Sequence, residues 1–240
     1  MAFIYLKNGT RVVRKEVPVA LESISYGIER FPIKSGMSAG GTMMHAILGP
    51  DQSETSRFRE PGTPTNNDSL QPLMKLLNKD SAKNWIAGHL LNADLGGSGT
   101  LKANLTPLTH AANSAHKHYE AHIKRMLLMC YNIDFNAPAD NFWYGVEYSI
   151  SVSSEPFNSP VDEDLMDTYC SSFITLNYGF VRRAKTGATA WVPVAIGDPQ
   201  LSRLSSVLRP NCAPSPNIKN YDQHTGTPGV QFRLEIHNEA

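Results

Sequence analysis

The chain has 240 residues, enough for one sizeable domain or for a core with a substantial extension. It is 41% hydrophobic and 18% charged, a globular composition on the low side for charge. Its 22 Lys and Arg balance 22 Asp and Glu, which argues against a protein held to nucleic acid by bulk electrostatics, though not against one with a local basic groove. No apolar run is long enough to span a membrane, so no membrane partner is expected. The N-terminus has no basic start followed by a long apolar run, so no cleavable signal peptide is expected. Cys130, Cys170 and Cys212 are odd in number and lack metal-ligand spacing; they read as reduced thiols of a cytoplasmic protein, and any export would use machinery that reads no cleavable leader.

Residues 3–14 read as a hairpin turning at Asn8-Gly9, with Ile4, Leu6, Val12 and Val13 flanking the turn. Residues 34–66 are rich in Gly, Ser, Thr and Pro around one apolar island, 43–48, which reads as a strand with His45 as an ordinary strand residue. A long polar loop is expected over 51–68. A short helix is expected over 67–77, capped by Asp68 or Ser69, with Leu70, Leu73, Leu76 and Leu77 inward.

Residues 84–95 read as an extended segment or strand pair. They end in Gly96-Gly97-Ser98-Gly99, a connecting turn that lacks the Gly-Lys-Ser/Thr ending of a phosphate loop. A short strand over 104–108 leads to Thr109, which caps the clearest helix of the chain, running to about Cys130. Ala112, Tyr119, Ile123, Met126 and Cys130 fall on one core-facing stripe of that helix. From Asn141 onward alternation indicates β structure, at 148–152, in parts of 173–181 and 190–196, and at 231–236, with a loop over 209–219. The expected fold class is α+β.

The segment that carries chemistry contains Ala87-Gly88-His89, then Asn104-Leu105-Thr106-Pro107, then Asn113, then Glu120. A lone Gly-His pair means nothing, and Asn113 alone reads as a surface helix residue. At about 100° per residue, Asn113, Lys117, Glu120 and Lys124 share one helix face, roughly 100° from the apolar stripe. That face can look into a cleft, and it reads equally well as a solvated i,i+4 face. His118 and His122 stand at i,i+4, but they point away from the Asn113 face and, with His116, lack a third ligand nearby, so zinc is set aside. Tyr144, Tyr148, Tyr178 and Trp191 read as sheet residues before base-stacking platforms.

Taken together, Gly88-His89, Asn104-x-x-Pro107 and Asn113 make residues 85–125 resemble the DNA/RNA non-specific endonucleases of the ββα-metal (His-Me finger) class. Leu48-Gly49-Pro50-Asp51 and Gly62-Thr63-Pro64 echo the lead-in of such domains in bacterial polymorphic toxins and secreted effectors. The resemblance implies a ββα-metal core over residues 36–130, preceded by an N-terminal hairpin region (1–35) and followed by a β-rich part (131–240) that is either continuous with the core or a unit for a partner. It implies a metal-dependent, sequence-non-specific endonuclease acting on DNA and/or RNA, with an immunity protein as partner if the nuclease is a toxin. By resemblance His89 is the general base, Asn104 pins the loop and the His89 ring, and Asn113 gives its amide oxygen to one Mg²⁺, with Mn²⁺ as the alternative. Glu120 would hold metal-bound water, and Lys102, Lys117, Lys124 and Arg125 would meet substrate phosphates.

One position departs from the family pattern: Ala87 stands where an Arg often precedes Gly-His. Arg125, Arg182 and Arg183 are the candidates to replace it. The competing readings are a nuclease-like binding or structural protein without activity, and a β-rich interaction module with an incidental motif.

Overall fold

The computed structural model describes residues 2–8, 11–17, 19–30, 36–50, 63, 65, 69–80, 83–137, 139–157, 166–187, 190–207, 216–226 and 229–238; at 2–20, 50, 80, 135 and 220–230 it describes the backbone alone. The chain is a mixed α/β protein with one large antiparallel sheet and few helices. Among the described residues no helix is long and apolar enough to cross a membrane.

An N-terminal pair, β1 (Ala2–Asn8) and β2 (Arg11–Val17), stands apart from the main sheet. Its ladder closes on Asn8 opposite Arg11, so Asn8 belongs to the strand and not to the turn; Gly9 and Thr10 lie outside the described residues. The main sheet contains β3 (Val19–Tyr26), β4 (Met43–Pro50), β7 (Phe142–Val152), β8 (Phe173–Ala184), β10 (Ile218–Gly226) and β11 (Gly229–His237). Their order is β10-β11-β8-β7-β4-β3, with the short β9 (Val192–Pro193) pairing on β8. The strand over 43–48 expected from sequence is thus an inner strand, and the sheet draws on all three stretches of the chain, 1–35, 36–130 and 131–240. The expected loop over 51–68 lies almost wholly outside the described residues; Thr63 and Thr65 within it are described.

Strand periodicity of two puts alternate side chains on one face, and register aligns them into rows. Met44, Ile150, Leu176 and Leu234 form one row; Ala46, Tyr148, Tyr178 and Phe232 form the next; Leu48, Val146 and Phe180 form a third. All of these are buried, so Tyr148 and Tyr178 are core residues and not base platforms. The opposite face carries His45, Glu147, Ser149 and Asn177, none of them buried, with His45 bonded to Glu147 at 2.8 Å.

The apolar face is covered by α2 (His110–Asn136). Thr109 caps it as expected, its hydroxyl accepting from the Ala112 amide at 3.3 Å. The helix runs beyond the expected end near Cys130 to Asn136, just before Ala137; Pro138 follows, and a residue before proline is biased out of the helical region. Ala112, Tyr119, Ile123, Met126 and Cys130 are buried as the periodicity indicated, each large side chain contributing about 1.5–3 kcal/mol.

Two strands, β5 (Trp85–His89) and β6 (Leu105–Thr109), immediately precede α2 and pair with each other, His89 opposite Leu105. Of the extended segment or strand pair expected over 84–95, one strand forms, with its partner at 105–109 and a 3-10 turn at Ala93–Leu95 between them. The first helix, α1 (Gln71–Asp80), starts later than expected. Ser69 does not cap it: its hydroxyl donates to the carbonyls of Gly99 and Thr100. Leu70, Leu73 and Leu77 are buried as expected and Leu76 only partly; Leu73 and Leu77 share a small second core with Trp85 and Cys170. A third helix, α3 (Leu201–Ser205), is short.

Candidate active site

The strand end at His89 and the helix behind it meet through a glycine. A Cβ on Gly88 would lie 2.6 Å from Leu108 Cδ1, so a larger residue would have to displace Leu108, and 3.3 Å from Asn113 Oδ1, a tight contact with the helix amide. Asn113 is 9% exposed and has no assigned hydrogen bond among the described residues, leaving its amide oxygen beside the backbone of Gly88.

The long connection between β5 and β6 is tied down by Asn104. Its Oδ1 accepts from the Leu91 amide at 2.8 Å, and its Nδ2 donates to the carbonyls of Leu91 and Ser98 at 3.0 and 2.9 Å. The side chain is fully buried. Gly97 makes room for it, because a Cβ there would lie 1.7 Å from the Leu91 carbonyl and 2.9 Å from Asn104 Nδ2. Asn104 thus pins the loop, but it does not hold the His89 ring; two threonines do. Thr65 Oγ1 lies 2.9 Å from His89 Nδ1, and the Thr63 carbonyl lies 3.4 Å from Nε2. A carbonyl only accepts, which assigns the proton to Nε2 and makes Nδ1 the acceptor of the Thr65 hydroxyl. The strap is itself anchored, since the Gly99 amide donates to Thr63 Oγ1 at 2.9 Å. The sequence signal for these residues is slight: they flank Pro64 in the Gly62-Thr63-Pro64 echo.

Partial burial lowers the His89 pKa, opposed by the Thr63 carbonyl and the charge of Glu120 and reinforced by His116 and Lys117. The ring is therefore biased to its neutral, proton-accepting form at neutral pH.

Glu120 is 3% exposed. Its Oε2 accepts from Asn92 Nδ2 at 2.8 Å, whereas its buried Oε1 has no hydrogen-bond partner among the described residues. Burial pushes its carboxyl up to about 7, against the hydrogen bond from Asn92 and the positive charge of Lys124. His116 lies 3.9 Å from Oε1 and is bonded through Nε2 to the Tyr148 hydroxyl at 2.7 Å; burial takes its pKa down to about 4.

The expected helix face is therefore split. Asn113 and Glu120 sit on the buried edge of α2, Lys117 is exposed, and Lys124 is half-buried and paired with Asp94. The helix is covered by the sheet on one side and by β5 and β6 on another, so its buried arc is wider than a single stripe. Lys124 is thereby neutralised and is not a free phosphate ligand. Arg125 is exposed and about 120° round the helix from Asn113, away from the site. Lys102 is exposed in the turn just before Asn104.

Besides Arg125, the other two candidates to replace an arginine at position 87 are engaged elsewhere. Arg182 pairs with Asp198 and lies over the Phe142 ring at 4.1 Å, in a cluster with Tyr144 and Asp140 where α2 ends. Arg183 pairs with Glu22 and lies over Trp191.

His118 is exposed, while His122 is buried edge-on to Tyr178, so the histidines of α2 do not converge. Among the described residues no group of three or more His, Cys, Asp or Glu is placed to hold a metal ion. Asn113 offers an amide oxygen, and Glu120 a carboxylate oxygen, Oε1, without a hydrogen-bond partner among the described residues; both are hard ligand types of the kind Mg²⁺ takes while keeping most of its water. No protein-family model, curated protein or solved structure matches the chain.

Proposed function

We propose that this protein is a metal-dependent endonuclease that hydrolyses phosphodiester bonds of DNA or RNA without sequence preference, built on a ββα-metal core of β5, β6 and α2. The observation that carries the reading is a neutral-biased histidine at a strand end, next to a glycine that the Asn113 amide oxygen approaches, with the charge of Glu120 acting on the ring from the helix that follows.

Asn113 would hold Mg²⁺ or Mn²⁺, with Glu120 on its bound water; the ion when bound offsets charge on the phosphoryl oxygens and the leaving oxygen. His89 takes a proton from water at Nδ1 once that water displaces the Thr65 hydroxyl bonded there, the Thr63 carbonyl still holding Nε2. The water oxygen forms the new bond to phosphorus, the bond to the leaving oxygen breaks, and solvent returns a proton to that oxygen. Thr63 and Thr65 orient the ring, and Asn104 fixes the loop that follows it. A nuclease of this kind suits a toxin or effector role, in which the producing cell needs an immunity protein.

Nicking of supercoiled plasmid tests the reading. The parent should cut with Mg²⁺ and stop in EDTA, and His89→Ala should lose orders of magnitude of rate with its melting temperature kept, because His89 is only partly buried. A parent that never cuts, or a His89→Ala variant that cuts at the parent rate, overturns it. Ala87 favours a second reading, a nuclease-like binding protein without activity, and the first of those outcomes would select it.

A further inference from the structure

Beside His89 the molecule has a groove of about 720 Å³ between α1 and β5, lined by Thr65, Met74, Lys75, Lys79, Ile86 and Ala87 among others. It is continuous with the site: Thr65 both lines the groove and bonds His89, and Ala87 stands two residues from His89, on the same side of the strand. Lys75 and Lys79 are exposed and one helical turn apart, so their ammonium groups overlook the same side. Met74, Ile86 and the buried Trp85 supply an apolar wall, and no carboxylate lines the groove among the described residues. An arginine at 87 would fill this space, whereas alanine leaves it open and leaves the cations to α1.

We propose that this groove seats the nucleic-acid strand flanking the scissile phosphate, with Lys75 and Lys79 meeting its phosphates and the apolar wall taking sugar and base. The proposal rests on the nuclease reading. It also accounts for a protein of zero net charge handling a polyanion, through a local basic track in place of a global field.

The test compares the parent with Lys75→Ala/Lys79→Ala on two substrates: a single-stranded oligonucleotide, and bis(p-nitrophenyl) phosphate, a diester too short to leave the His89 site. Both lysines are exposed, so the variant should melt with the parent. For the oligonucleotide, KM should rise about 10-fold for each lysine removed, with kcat little changed. The salt dependence of oligonucleotide binding should become shallower by about 1 for each lysine. The small diester should be cleaved at the parent rate. An equal loss on both substrates, or no loss on the oligonucleotide, overturns the groove. Fluorescence anisotropy of a labelled oligonucleotide in EDTA separates this from the nuclease reading. Lysine-dependent binding by a parent that never cuts would keep the groove and sink the nuclease; cutting without lysine-dependent binding would do the reverse.

Discussion

Glu120→Gln removes a buried charge while keeping the shape of the side chain. Glu120 has its pKa raised from 4.5 to about 7 by burial, so the folded protein holds a proton that the unfolded chain has released. A group raised in this way contributes stability that is full below pH 4.5 and lost as pH rises through 7. The gap corresponds to about 3 kcal/mol, all of it incurred by pH 8. Glutamine stays neutral and keeps an acceptor for Asn92 Nδ2. Its buried Nε2 carries a cost of about 1–3 kcal/mol if it finds no acceptor, but that cost does not depend on pH. The variant should therefore gain about 3 kcal/mol on the parent between pH 4.5 and pH 8, or roughly 6–12 °C in melting temperature for a chain of this size. His116 sharpens the contrast. Its pKa is lowered from 6.5 to about 4, so the unfolded chain takes up the proton first and stability falls as pH drops from 6.5 to 4. In the parent the two slopes oppose each other between pH 4.5 and 6.5; in the variant the opposing Glu120 slope is gone and the His116 slope remains. Thermal melts of both proteins at half-unit steps from pH 4 to 8 give the curves. Parallel curves would refute the assignment of a buried, proton-holding carboxylate.

Asn104→Ala removes three hydrogen bonds and strands a buried amide and two carbonyls, so it should cost about 3–5 kcal/mol and lower nicking as well, read by denaturant unfolding and plasmid assay. Asn113→Ala should abolish nicking at a cost below about 1 kcal/mol, because the side chain makes no assigned hydrogen bond, whereas Ile123→Ala should cost about 2–5 kcal/mol while its folded fraction still cuts. Thr65→Val removes the hydroxyl that stabilises the neutral His89 ring, so the acid limb of the pH–rate profile should move up; an unmoved limb would mean that Thr65 does not tune the base.

What sequence shows of this fold is what short-range periodicity and capping encode. Thr109 and the stripe from Ala112 to Cys130 are local features, and both stand in the structure as read. Leu70, Leu73 and Leu77 survive a shift in the helix start for the same reason: burial follows spacing, while the first turn depends on whether Ser69 caps the helix or bonds Gly99 and Thr100 across the fold. Alternation likewise finds β7, β8 and β11, but it misses β10 and overextends β9, and nothing local says that the strand at 43–48 lies between β3 and β7 in a sheet assembled from the whole chain.

The site follows the same division. Gly88, His89, Asn104 and Asn113 are visible as a motif because their spacing along one strand, one loop and one helix start is a property of a continuous segment. Thr65 comes from a separate stretch upstream, Asn92 and Asp94 act only because the loop folds back on α2, and Lys75 and Lys79 matter only because α1 lies along β5. A helical wheel also treats a helix as having one wet side. Here α2 is covered from two directions, so Asn113 and Glu120 fall on the buried edge, Lys117 remains in solvent, and Lys124 is taken up by Asp94. Burial gives Glu120, on that edge, its raised pKa and His89, at the end of β5, its neutral bias, since desolvation is the first cause of both. The chemistry proposed for this protein therefore depends on a tertiary contact, the seating of β5 and β6 on the start of α2, which no local pattern of the sequence announces.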